Sequence, residues 1–94
     1  MAGSLSSKRT RVVVTIIPSV ANSLFAETVQ GVSEVLAEAG YQMLIGNTHY
    51  DGEEEESLVR TLLSWRPAGL ILAGVECSAT IAAMISRASV PTVE

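Results

Sequence analysis

Apolar residues run together in short blocks along this chain, and the blocks alternate with stretches in which they recur every three to four residues. Val12–Ile17 (Val-Val-Val-Thr-Ile-Ile) is β-branched throughout, with Thr15 its single polar residue. A run without alternation predicts a strand covered on both faces, as in a parallel sheet flanked by helices. Pro18 ends it, because proline fixes φ and has no N–H for the ladder. Phe25, Val29, Val32, Val35, Leu36 and Ala39 then share one face of a helix that Asn22 or Ser23 can cap and Gly40 can terminate. Tyr41–Ile45 predicts a second strand, less completely buried, followed by a loop over 46–52. Helical spacing resumes over 53–66 through Leu58, Val59, Leu62 and Leu63, until Pro67 stops it. Gly69–Ala73 predicts a third strand, Ser78 can cap a third helix built on Ile81, Ala82, Ile85 and Ala88, and Val90–Glu94 begins a fourth strand. The order βαβαβαβ with right-handed crossovers predicts an α/β fold: one parallel, Rossmann-like sheet with helices on both faces. The last strand has no helix after it, which leaves a sheet edge and part of a face uncovered. The chain is therefore expected to be a piece of a longer domain.

Length and charge narrow this picture. Ninety-four residues suffice for one small domain, and with few aromatics its core must be built from Val, Ile, Leu and Ala. The net charge of −4 hides an asymmetry: Lys8, Arg9 and Arg11 are half of the basic residues, whereas from Val12 onward three bases face ten acids. A basic tip on an acidic body fits an arm that meets an anion, and fits equally a solubilising terminus. The single Cys77 excludes an internal disulfide and a cysteine-based zinc site. Neither a signal-peptide pattern nor a membrane-length apolar run occurs, so the expected location is cytoplasmic, with no membrane partner.

The turn after the first strand has no glycine, so it forms neither a dinucleotide loop nor a phosphate loop, and no nucleophile elbow occurs. His49, the only histidine, stands in a loop without an evident nucleophile. Cys77 reads as an inert thiol, and Glu53–Glu56 as a solvated helical face, since adjacent helical residues point in different directions. No enzyme, metal or cofactor is expected. What remains is a set of polar groups at the carboxyl ends of the strands: Ser19, Asn22 and Ser23 after the first, Asn47, Thr48 and His49 after the second, Glu76 and Ser78 after the third. In open α/β sheets ligands bind there, and mostly neutral donors and acceptors suit the hydroxyls of small polyols and sugars. Asn22 and Ser78 also serve as helix caps. Phe25 is either core or an apolar wall of the site.

Pro18, Asn22, Phe25, Gly31, Gly40-Tyr41 and Ala68-Gly69-Leu70-Ile71-Leu72 stand in the register of a family pattern, and the sequence resembles the lac-repressor (LacI/GalR) family of bacterial transcription regulators. Leu62-Leu63-Ser64-Trp65 looks most like the gluconate-operon repressors within it. The resemblance implies a periplasmic-binding-protein-like type I fold, truncated here to part of the N-terminal subdomain over 11–94, with residues 1–10 a hinge remnant. It implies a sugar or sugar-acid effector such as gluconate, for which the strand-end residues Ser19, Asn22, Phe25, Asn47, Thr48, His49 and Glu76 are the expected contacts. It further implies operator DNA as a partner of the full-length protein, a homodimer, Leu5 as a wedge in the minor groove, and Lys8 and Arg9 on phosphates. The family often has Asn-Pro-Phe-Phe where this chain has Asn22-Ser23-Leu24-Phe25. A sugar-binding protein of a transport system would share the same core, and its distinguishing mark would be upstream sequence.

Overall fold

A computed structural model describes residues 10–75 and 77–94. Strands β1 (Val12–Ile17), β2 (Gln42–Asn47), β3 (Gly69–Leu72) and β4 (Thr92–Val93) alternate with helices α1 (Ser23–Glu38), α2 (Gly52–Leu63) and α3 (Ala79–Ala88). All neighbouring strands are parallel, in the order β2-β1-β3-β4. The chain steps outward from β1 to β2 and then returns across β1 to β3, so the winding reverses between β1 and β3. Such a reversal opens a crevice beyond the carboxyl ends of the strands.

The uninterrupted apolar run of β1 is explained by its position. It is paired on both edges, and Val13–Ile17 are all buried. On one face, Val14 and Ile16 join Leu70 and Leu72 of β3, Val59 and Leu62 of α2, Ile81 of α3 and Val90 in the core. Ile16 and Ile81 are fully enclosed, and each such side chain contributes about 1.5–3 kcal/mol by leaving water. By the two-residue period of a strand, Val13, Thr15 and Ile17 face the other side, against which α1 packs.

Helix α1 has the clearest apolar period in the sequence and yet the shallowest seat. None of its 16 residues is buried, and Leu24 and Val35 are 68% and 67% exposed. Helices α2 and α3 pack against each other as well as the sheet, whereas α1 packs mainly on β1 and β2. An apolar groove runs along it, lined by Val32, Val35 and Leu36 together with Ile71 of β3.

Three boundaries differ from the sequence expectation. Strand β2 runs on through Gly46 and Asn47, expected to be loop, because pairing with Ile16 and Ile17 of β1 continues that far. Helix α2 begins at Gly52, capped by Asp51, and ends at Leu63 rather than near Arg66. Ser64, Trp65 and Arg66 form hydrogen-bonded turns, and Arg66 takes a φ of 57° before Pro67. Strand β4 has only two residues, and Val93 is 64% exposed.

Candidate functional site

The connections after β1, β2 and β3 converge at the carboxyl edge of the sheet, where α2 and α3 begin. In a parallel α/β sheet the helix N-termini necessarily face this edge, so capping residues and site residues compete for the same ground. A cleft of about 580 Å³ lies here. Pro18 comes from the β1 end, Thr48 and Tyr50 from the loop after β2, and Gly74, Cys77 and Ser78 from the loop after β3. Gly52, Glu53, Glu55 and Glu56 of α2 complete the lining.

Thr48 extends the ladder beyond β2 by donating its N–H to the Ile17 carbonyl at 2.9 Å. The residue is 1% exposed, and its Oγ1 has no hydrogen-bond partner among the described residues. A buried hydroxyl without a partner costs about 1–3 kcal/mol, so a ligand group that reached it would recover that cost. The loop then turns sharply. The Asn47 carboxamide oxygen accepts from the His49 N–H at 3.2 Å, and His49 and Tyr50 both adopt left-handed φ values of 56° and 62°. Two successive non-glycine residues in that region are strained, and the turn delivers Tyr50 to the rim.

Asn22 is engaged through both ends of its carboxamide. Its Oδ1 caps α1 by accepting from the Leu24 N–H at 3.0 Å, and its Nδ2 donates to the Tyr50 hydroxyl at 3.2 Å. The cap of α1 is thereby tied to the loop after β2. Ser78 is similarly divided: its Oγ accepts from the Ile81 N–H at 3.1 Å and donates to Glu56 at 3.1 Å. Phe25 is half-buried and stands against Gly74, which has a φ of 65°; a Cβ there would lie 2.5 Å from the phenyl ring. Only glycine suits both that backbone and that ring. Phe25 thus packs on the loop after β3 without lining the cleft.

Among the described residues that the sequence pointed to at the strand ends, Thr48 and Ser78 line the cleft directly. Ser19 accepts from the Ala21 N–H at 3.2 Å and shapes the turn out of β1. Asn47 and Asn22 hold the loops, and His49 turns outward to pair through Nδ1 with Glu54. Glu76, Leu5, Lys8 and Arg9 lie outside the described residues. Tyr50, Glu53, Glu55 and Glu56 were missed as cleft residues. None of Glu53–Glu56 is buried, yet the run does more than face solvent: Glu53, Glu55 and Glu56 line the cleft, Glu56 bonds to Ser78, and Glu54 pairs with His49. The available signal was topological, since the first turn of any helix following a parallel strand stands at the ligand edge.

Among the described residues, no lysine, arginine or histidine lines the cleft. Burial, then the negative charges of Glu94 and Glu55, push the Cys77 thiol above its usual pKa, which keeps it protonated at neutral pH. Among the described residues, no three His, Cys, Asp or Glu side chains are grouped so as to hold a metal ion, and no helix is long and apolar enough to cross a membrane.

Comparison with known proteins gives a consistent result. The chain is 40% identical over 92 residues to the HTH-type transcriptional regulator GntR of Pseudomonas aeruginosa, which covers 98% of this chain and 27% of that protein. A LacI-family transcriptional regulator structure from Silicibacter pomeroyi superposes with a TM-score of 0.86 at 42% identity, covering 95% of this chain and 27% of that one. The transcription regulator GntR structure from Chromobacterium violaceum gives 0.80 at 42% identity, covering 86% and 30%. The chain therefore spans about a quarter of the length of the curated regulator it matches. Residues 10–94 match the family described as periplasmic binding proteins and the sugar binding domain of the LacI family, and it is to this family that the chain belongs.

Proposed function

We propose that this chain is the first part of the effector-binding domain of a ligand-responsive transcriptional repressor, and that its cleft forms one wall of the effector site. The cleft at the carboxyl edge carries the proposal. It stands where the winding of the sheet reverses, and its polar lining is hydroxyls and carboxylates. Carboxylates accept strong, charge-assisted hydrogen bonds from ligand hydroxyls, and Thr48 Oγ1 has no partner among the described residues. That chemistry suits a sugar or sugar acid, and the resemblance to gluconate-operon repressors makes gluconate the first ligand to test. An acid-lined wall favours the polyol end of such a ligand, so its carboxylate would face away from this chain.

In this proposal residues 1–10 are the end of a hinge and 11–94 the beginning of the N-terminal lobe. Leu5 would wedge into the operator minor groove, with Lys8 and Arg9 on phosphates. Ser19, Asn22, Phe25, Asn47, Thr48, His49 and Glu76 would shape or contact the effector site together with Tyr50. The working protein would be a cytoplasmic homodimer that binds operator DNA and is not an enzyme. Relatives at 40% and 42% identity are named as transcription regulators, which weighs for this reading over a transport-system binding protein.

Isothermal titration of the complete regulator against gluconate, hexoses and pentoses tests the proposal. Saturable heat with at least one of them is expected, and no heat with any contradicts it. In the same protein Leu5→Ala is expected to weaken operator binding and to leave effector affinity unchanged. Undiminished operator binding would remove the wedge from the account.

A further inference from the structure

The cleft is at the carboxyl end of the sheet and Arg11, just before β1, is at the other, so a ligand-responsive repressor needs a physical link between them. Helix α1 spans the distance: its 16 residues make a rod about 24 Å long at 1.5 Å per residue. Its first turn is engaged at the cleft on two sides. Asn22, its cap, bonds to Tyr50 of the loop after β2, and Phe25 packs on Gly74 of the loop after β3.

The other end of α1 is unusual in how it is closed. Tyr41 N–H bonds to the Leu36 carbonyl at 2.8 Å and Gly40 N–H to the Ala37 carbonyl at 3.1 Å, the paired bonds of a Schellman turn. The helix has no basic residue in its last turn, and Glu34 and Glu38 stand near the negative end of its dipole, where cations are favoured. The cation comes from elsewhere. Arg11, immediately before β1, donates from Nε to the Gly40 carbonyl at 3.1 Å and from Nη2 to the Ala39 carbonyl at 3.0 Å. Its guanidinium also lies over the Tyr41 ring, 4.4 Å from the centroid. Gly40 has a φ of 83°, and a Cβ there would come within 3.1 Å of Nη2, so the approach depends on glycine.

We propose that Arg11 is a positioning residue that fastens the point where the arm enters β1 to the C-terminal end of α1. A displacement of α1 at the cleft is thereby carried to the arm. Because no residue of α1 is buried, little core packing must be broken for the helix to move as a unit. Thr10 supplies the contrasting tie: its N–H and hydroxyl both donate to the Arg66 carbonyl, at 2.9 and 3.2 Å, and anchor it to the turn before β3. The entry point is thus held to the turn before β3 on one side and to the mobile-capable helix on the other. Lysine cannot replace Arg11 here. It keeps the charge but has no planar fork to reach two carbonyls while stacking on Tyr41.

This inference rests on the proposed function, and its test separates the two. In the complete regulator, Arg11→Gln and Arg11→Lys are compared with wild type for gluconate affinity and for operator affinity with and without gluconate. Couplings between sites are typically about 5–150-fold. Both variants are expected to bind gluconate as wild type does, while the ratio of operator affinities falls towards one. A merely structural role would instead lower both affinities together, and would overturn the proposal. So would an unchanged ratio in both variants, or full rescue by lysine, which would assign the effect to charge alone. A wild-type protein whose operator affinity responds to none of gluconate, the hexoses and the pentoses overturns the functional reading itself, and this inference with it.

Discussion

At the scale of single residues, two threonines make the sharpest contrast. Thr15 and Thr48 are both essentially unexposed, and the hydroxyl of each lacks a partner among the described residues. Thr15 lies in the middle of β1 on the α1 side, away from the cleft, whereas Thr48 lines it. Valine has nearly the same shape without the hydroxyl, so in the complete regulator Thr15→Val and Thr48→Val should each hold or raise stability, by up to about 1–3 kcal/mol. Only Thr48→Val should also weaken effector binding, by an amount comparable to one hydrogen bond. Denaturant unfolding paired with ligand titration reads both. Equal ligand affinity in the two variants would remove Thr48 from the site. The position of Thr48 at the edge was legible from sequence, but its complete burial was not. Burial depends on how α2 closes over the loop, and no local pattern records that. Tyr50 was overlooked for a related reason: only the double left-handed turn at His49 and Tyr50 carries its hydroxyl to Asn22.

At the scale of elements, the sequence pattern specified order and type well and depth poorly. Hydrophobic periodicity reports which face of a helix is apolar, and does not report what covers that face. Helix α1 illustrates the difference, with its clear stripe of Phe25, Val29, Val32, Val35 and Leu36 and no buried residue. Helix α3 has a shorter stripe, yet Ile81 is completely enclosed because α2 closes over it. Substitution should separate the two. Ile81→Ala is expected to cost about 2–5 kcal/mol. Val35→Ala should remain within about 0.5 kcal/mol so long as that face stays exposed in the assembled protein. Unfolding midpoints at fixed protein concentration decide this, and a large concentration-dependent loss for Val35→Ala would show that another surface covers α1. The glutamate run makes the same point for charge: Glu53–Glu56 read as a solvated face until the topology places the first turn of α2 beside the cleft.

At the scale of the whole molecule, the parallel order β2-β1-β3-β4 sets the cleft and the entry to β1 at opposite ends of the sheet. The carboxyl edge holds hydroxyl and carboxylate groups suited to a polyol, and the opposite end holds the basic entry to β1, fastened by Arg11 and Thr10. Membership of the LacI and periplasmic-binding-protein family follows from residues 10–94, and the chain spans about a quarter of its curated relative. In the proposed reading the effector also meets residues beyond these 94, so the groups present here point to a polyol class and not to a particular ligand. The central claim is that ligand binding at the carboxyl edge changes DNA binding through the other end of the sheet. It is tested most directly by measuring the operator affinity of the complete regulator with and without saturating gluconate at fixed salt. A change of about fivefold or more in either direction is the predicted result; an operator affinity that stays the same while gluconate is demonstrably bound would contradict it.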